Sequence, residues 1–107
     1  MYRLKAVRQT DNMVDYDILY NDAYIGELDI TINEKDVFIR HIGIKAPFRR
    51  RGHARKVLEH VIELFKKNIS FCIATHSDSA VKFWNRILAE KEHEHIRGNV
   101  YQLKKSA

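Results

Sequence analysis
Along the first third of the chain, side chains alternate between apolar and polar, the period of a half-buried strand. Tyr2, Leu4 and Ala6 alternate with Arg3, Lys5 and Val7, which predicts a short strand. Gln9 to Asn12 is polar turn chemistry. Val14, Tyr16, Ile18 and Tyr20 then oppose Asp15 and Asp17, predicting a second strand over Met13 to Tyr20. Asn21-Asp22 separates it from Tyr24 to Ile32, as a tight hairpin does. After a turn at Asn33 to Asp36 comes Val37 to Ile44, apolar on both faces and expected at the centre of a sheet. Four strands in a row make an antiparallel meander.

The period then lengthens. Ala54, Val57, Leu58, Val61, Ile62 and Phe65 recur at helical spacing, and Lys66-Lys67-Asn68 suits a helix C-terminus. Phe71 to Thr75 reads as a fifth strand. Ala80, Phe83, Trp84, Ile87 and Leu88 form a second amphipathic stripe, with Ser77 or Asp78 as N-cap. His93 to Arg97 and Val100 to Leu103 read as two closing strands. A strand, a helix and a strand in the middle imply a right-handed crossover and one parallel pair. The expected class is α+β (α/β): a single twisted mixed β-sheet with helices packed on it.

A length of 107 residues predicts one domain, residues 1–107, able to form a core without staples. The single Cys72 excludes a disulfide framework and a cysteine zinc site. No apolar run is long enough for a membrane span, and the first residues lack a signal-peptide core, so the expected location is cytoplasmic.

Charge sharpens the picture. The formal net charge is +5, yet residues 1–44 carry −3, residues 45–56 carry +6 and residues 57–107 carry +2. The excess is therefore local to Lys45, Arg49, Arg50, Arg51, Arg55 and Lys56. Such a window marks an anion site and argues against a surface coated for nucleic acid. It lies in Ile42-Gly43-Ile44-Lys45-Ala46-Pro47-Phe48-Arg49-Arg50-Arg51-Gly52-His53-Ala54, between an expected buried strand and an amphipathic helix. That junction presents unpaired N–H groups and the positive end of the helix dipole. Gly52 allows close backbone approach, Ala54 keeps the first turn uncrowded, and the arginines add charge-assisted hydrogen bonds.

At these residues the sequence resembles the GNAT superfamily of N-acetyltransferases. Its acetyl-coenzyme A signature, Arg/Gln-x-x-Gly-x-Gly/Ala, is matched by Arg49, Gly52 and Ala54, and its lead-in by Ile44 to Pro47. The resemblance implies that amides of Arg50 to Arg55, Arg51 and His53 included, cradle the pyrophosphate of acetyl-CoA. It also implies that Ile42, Gly43 and Ile44 pair with the pantetheine arm. The family's Asn-x-x-Ala-x-x-Phe-Tyr appears here as Ser77, Ala80, Phe83 and Trp84. Trp84 replaces the tyrosine that often protonates the departing thiolate, and Leu88-Ala89 replaces a familiar Gly-Phe. The helices usual between the first two strands have no room in Arg8 to Asn12, which implies an open acceptor side.

Acetyl transfer to an amine needs a neutral amine, a polarised thioester carbonyl and a departing thiolate. A backbone N–H near Ile44 serves the carbonyl. His76, at the expected end of the fifth strand, is the preferred base or water relay; His41, read as a partly buried sheet residue, is the second candidate. Glu27 and Asp29 share a strand face and read as solvated carboxylates within reach of a cationic acceptor. Cys72 reads as a core thiol, and Tyr101 as a core or rim tyrosine. His93 and His95 share a face but lack a third ligand, so no metal is expected. The functional expectation is direct, sequential transfer of acetyl from acetyl-CoA to a primary amine on a protein, peptide or bulky small molecule. A non-catalytic acyl-CoA-binding regulator is the alternative, and a homodimer is compatible with either.

Overall fold
A computed structural model describes residues 1–105. Its elements run β1 (Tyr2–Thr10), β2 (Met13–Tyr20), β3 (Ala23–Ile32), β4 (Asp36–Ile44), a 3-10 turn (Ala46–Phe48), α1 (His53–Phe65), β5 (Asn68–Cys72), α2 (Asp78–Glu90), β6 (His93–Arg97) and β7 (Val100–Leu103). The strands form one sheet in the order β1-β2-β3-β4-β5-β7-β6. Asn21 and Asp22 take φ of 49° and 70°, so β2 and β3 join through two left-handed residues, as a twisted hairpin requires. β4 and β5 are the parallel pair, joined through α1. No helix among the described residues is long and apolar enough to cross a membrane.

The register puts both helices on one face. Tyr20, Ile18, Tyr16 and Val14 lie across from Tyr2, Leu4, Ala6 and Gln9 on one side, and Gly26, Leu28 and Ile30 continue the row on the other. Ile30 pairs with Ile39, and Ile39 with Phe71. Against this face α1 buries Val57, Leu58 and Val61, and α2 buries Trp84 and Ile87. The opposite face carries Asp15, Asp17, Glu27, Asp29, His41, Ser70 and Cys72, and neither helix covers it.

That uncovered face explains two departures from the sequence reading. Cys72 is exposed, not a core thiol, because it points away from the helices while Phe71 is buried among them. His41 is exposed for the same reason. The fifth strand also begins earlier than its apolar run, at Asn68, and ends at Cys72, leaving Thr75 in a turn. Its polar residues are partnered: the Ser70 hydroxyl donates to Asp36 Oδ2 at 2.8 Å and accepts from Gln102 Nε2 at 3.1 Å. Apolar periodicity cannot register a strand whose polar side chains, on the helix-free face, are satisfied laterally. β1 likewise runs on to Thr10, where Arg8, Gln9 and Thr10 pair with Asp15, Val14 and Met13. Only Asp11 and Asn12 remain as the turn.

The feature that makes a site is a bulge in β4. Asp29 pairs with His41 but Ile30 pairs with Ile39, so Arg40 is the extra residue. Its guanidinium donates to Asp15 Oδ1 at 2.8 Å and to the Ile30 carbonyl at 3.1 Å, fixing the bulge. Bulges sharpen twist and re-aim a strand. β4 and β5 stay paired only from Asp36–Asn68 to Ile39–Phe71; beyond, β4 follows β3 while β5 follows β7. On the β3 side the contact is tight: a side chain at Gly26 would collide with the Gly43 carbonyl.

Candidate active site
The parted strands open into a cleft of about 870 Å³. One wall is the end of β4, His41 to Ile44, continued by Phe48, Arg49, Arg50, Gly52, His53, Ala54 and Arg55. The other is Ala74, His76 and Ser77 with the α2 residues Ser79, Ala80, Phe83, Trp84, Arg86 and Ile87. Of the residues singled out from sequence, the structure brings His41, Ile42, Gly43, Ile44, Arg49, Arg50, Gly52, His53, Ala54, Arg55, His76, Ser77 and Trp84 to this cleft. Arg51 is exposed and does not line it.

The turn into α1 leaves its N–H groups without partners, the arrangement an anion site requires. Arg50 has φ of 63° and Gly52 of 78°, left-handed conformations that turn successive N–H groups to one side. Gly52 is the N-cap, no side chain caps the helix, and the first helical bond runs from the Lys56 N–H to the Gly52 carbonyl. The N–H groups of His53, Ala54 and Arg55 are thus left for an outside acceptor. Nothing lies within 4 Å of where a Gly52 Cβ would stand, so space beside the turn is open.

The basic window is less free than its composition suggests. The Arg49 Nε donates to the Ile44 carbonyl at 2.8 Å, folding the turn back on the strand end. Arg55 pairs with Glu90 at 2.8 Å and Glu59 at 3.4 Å, linking α1 to α2. Lys45 lies over the Tyr24 ring, 4.2 Å from its centre. Of the window's three arginines at the cleft, Arg50 is the one with neither an ion pair nor a side-chain hydrogen bond among the described residues, and Arg86 brings a further charge from α2.

On the α2 wall, the Ser77 hydroxyl accepts from the Ala80 N–H at 3.3 Å, so Ser77 is the cap. Trp84 is 5% exposed and stacks on Phe71 with ring centres 3.8 Å apart, so its indole is core with one edge at the cleft. Tyr101 stacks beyond Phe71 and does not line the cleft. His93 and His95 both pack against Tyr101; among the described residues no metal-holding cluster of His, Cys, Asp or Glu occurs.

His41 and Gly43 share the helix-free side: a Cβ on Gly43 would stand 2.8 Å from His41 Nε2. Cross-strand pairing sets Asp15, Asp29 and His41 in one row, and Asp17, Glu27 and Gly43 in the next. Burial, then Asp15, push the Asp29 carboxyl above its ordinary range, with His41 and Arg40 opposing. The β4 bulge, the Arg49 and Arg55 tethers and the contact of the Tyr2 hydroxyl with His53 Nδ1 were invisible in the sequence. Phe83 and Ala80 were signalled by helical spacing.

A raised carboxyl makes the folded chain hold a proton that the unfolded chain releases. The cost is absent below the unfolded value of ~3.9 and complete above the folded one. Asp29→Asn is therefore expected to raise the urea midpoint at pH 7 and leave it unchanged near pH ~3. An equal gain at both pH values would contradict this assignment.

Comparisons with known proteins agree with the geometry. A family model for the acetyltransferase (GNAT) family matches residues 3–89. N-alpha-acetyltransferase 50 of Danio rerio is 30% identical over 76 residues, which are 63% of this chain and 45% of that protein. The chain thus spans less than half the length of this curated relative. The ribosomal-protein-S18-alanine N-acetyltransferase of Escherichia coli has the same fold, with TM-score 0.69 at 15% identity over 92% of this chain and 73% of that one. Arabidopsis thaliana Naa50, in complex with the bisubstrate analogue CoA-Ac-MVNAL, gives TM-score 0.60 at 22% identity over 87% and 72% of the two chains. Matched by that model over most of its length, the chain belongs to the GNAT family of acetyltransferases.

Proposed function
We propose that residues 1–107 act as one cytosolic domain that moves an acetyl group directly from acetyl-CoA to a primary amine. The observation that carries this reading is the uncapped, left-handed turn into α1, standing at the end of a strand that has lost its neighbour. In this reading the pyrophosphate lies on the N–H groups of Gly52 to Arg55, with Arg50 adding charge. The freed edge of β4, Ile42 to Ile44, supplies backbone groups to the pantetheine amides, and an N–H near Ile44 polarises the thioester carbonyl.

The acceptor comes from the open side. β1 and β2 are joined by two residues, so no helix forms a lip there, and the carboxylates of Asp15, Asp17, Glu27 and Asp29 favour approach of a protonated amine. The Danio rerio relative and the peptide-like analogue bound by the Arabidopsis thaliana protein support a protein or peptide N-terminus as acceptor. His76 takes up the amine proton, directly or through water, with His41 as the other candidate. Transfer is sequential: Cys72 is not among the residues lining the cleft, so it offers no acyl acceptor there. A coenzyme A thiolate is a fair leaving group, since thiols titrate near ~8.5, and it departs without the tyrosine that Trp84 replaces.

One observation favours a second reading. Trp84 is locked by stacking on Phe71 and has no acidic proton to give, as in a non-catalytic acyl-CoA-binding regulator.

Two experiments test the proposal. Calorimetry with acetyl-CoA is expected to show binding to the native chain and a loss of at least ~100-fold in Gly52→Glu, where a carboxylate meets the pyrophosphate. Gly52→Asn, which tolerates left-handed backbone, controls for strain. Unchanged affinity in folded Gly52→Glu would refute the phosphate assignment. Turnover of a peptide acceptor is expected to fall ~100-fold in His76→Ala with acetyl-CoA affinity intact. Undiminished turnover removes His76 from the mechanism, and no turnover by the native chain favours the regulator.

A further inference from the structure
His53 is the first residue of α1 and the only buried side chain in that helix's first turn, 8% exposed. Its ring packs against Tyr2 of β1 and Tyr20 of β2. Tyr2 Oη lies 2.6 Å from His53 Nδ1, and the Tyr20 ring centre is 4.9 Å from the imidazole's. Tyr2 and Tyr20 are direct cross-strand partners on β1 and β2, with ring centres 4.7 Å apart, so register alone sets the cage. Burial, then Arg51 and Lys56, hold the imidazole below its ordinary range, and burial raises the Tyr2 hydroxyl. The pair is therefore a neutral hydrogen bond in a half-dry pocket, where losing one partner strands the other.

We infer that the Tyr2–His53 hydrogen bond is a positioning device for the acetyl-CoA turn, an inference that rests on the function proposed above. Helices usually fix their first turn with a capping side chain, and α1 has none, because its N-terminal N–H groups are reserved for the ligand. The apolar anchors Val57, Leu58 and Val61 begin a turn later. At its other end α1 leads within three residues into β5, beside β4, whereas His53 is held at the opposite side of the meander, on β1 and β2. The two attachments set the direction of the helix across the sheet. The Gly52 to Arg55 amides consequently keep a fixed aim relative to Ile42 to Ile44. His53 serves the site through Tyr2, on the strand farthest from β5 in the meander.

The test combines coenzyme A calorimetry with amide hydrogen exchange of the ligand-free chain. Tyr2→Phe keeps the ring and removes the hydroxyl. It is expected to weaken coenzyme A binding about tenfold and to speed exchange at residues 56–59, the first hydrogen-bonded amides of α1, leaving the β2–β4 amides protected. His53→Leu behaves alike, and the double variant is no weaker than either single one, because both remove one bond. His53→Asn, whose amide reaches the Nδ1 position, restores affinity to within about threefold. Native affinity in Tyr2→Phe overturns the inference while the acetyl-CoA reading stands. So does a loss accompanied by faster exchange throughout the sheet, which is general destabilisation. Absence of coenzyme A binding by the native chain overturns the acetyl-CoA reading, and this inference with it.

Discussion

A strand can keep both neighbours only while its pleat stays in step with theirs, and in this protein β4 breaks step at Arg40. One inserted residue, pinned by bonds to Asp15 and to the Ile30 carbonyl, commits the rest of β4 to β3 and releases β5 toward β7. The candidate site lies in the resulting gap. The freed edge of β4 forms one wall, α2 fills in behind β5, and the turn into α1 stands at the mouth. Gly26 is part of the same constraint, because only a residue without a side chain lets β3 hold β4 this closely beside the gap.

The elements of the fold were largely legible because each buries one face. The meander, the parallel crossover and both helical stripes follow from apolar spacing. Errors arose where polar groups found lateral partners or where a face lacked a cover. Asn68 and Ser70 extend β5 because Lys105, Asp36 and Gln102 satisfy them. Cys72 and His41 are exposed because nothing stacks on their side of the sheet. The bulge had no signal at all, since an inserted residue matters only relative to a partner strand. The location of the uncapped turn into α1 was legible from its Gly, its arginines and the change of period around it. What each arginine does was not, because that depends on which carbonyl or carboxylate the fold carries within reach.

Charge in the turn is accordingly divided between construction and attraction. Arg49 ties the strand end, Arg55 ties the two helices, and Lys45 rests on Tyr24. Attraction is left to Arg50, Arg86 and the oriented backbone amides, which cost no side-chain ordering when a ligand arrives. His53 stays neutral and structural in the midst of this positive field, which burial makes affordable and its Tyr2 partner stabilises. The acidic rows on the other side of β4 complement this: one side of the strand is suited to a polyanion, and the other to a cation.

In the function proposed here, acetyl-CoA lies in the gap opened at Arg40. Titrating the isotope-labelled chain with coenzyme A and following every backbone amide tests it most directly. The largest shifts are expected at Gly43, Ile44, Gly52, His53 and Ala54, with Ala74 and the Trp84 indole on the facing wall, while β6 and β7 stay still. Shifts concentrated on the acidic rows of β2 and β3, or on the β6–β7 hairpin, with a silent turn at Gly52, would contradict it.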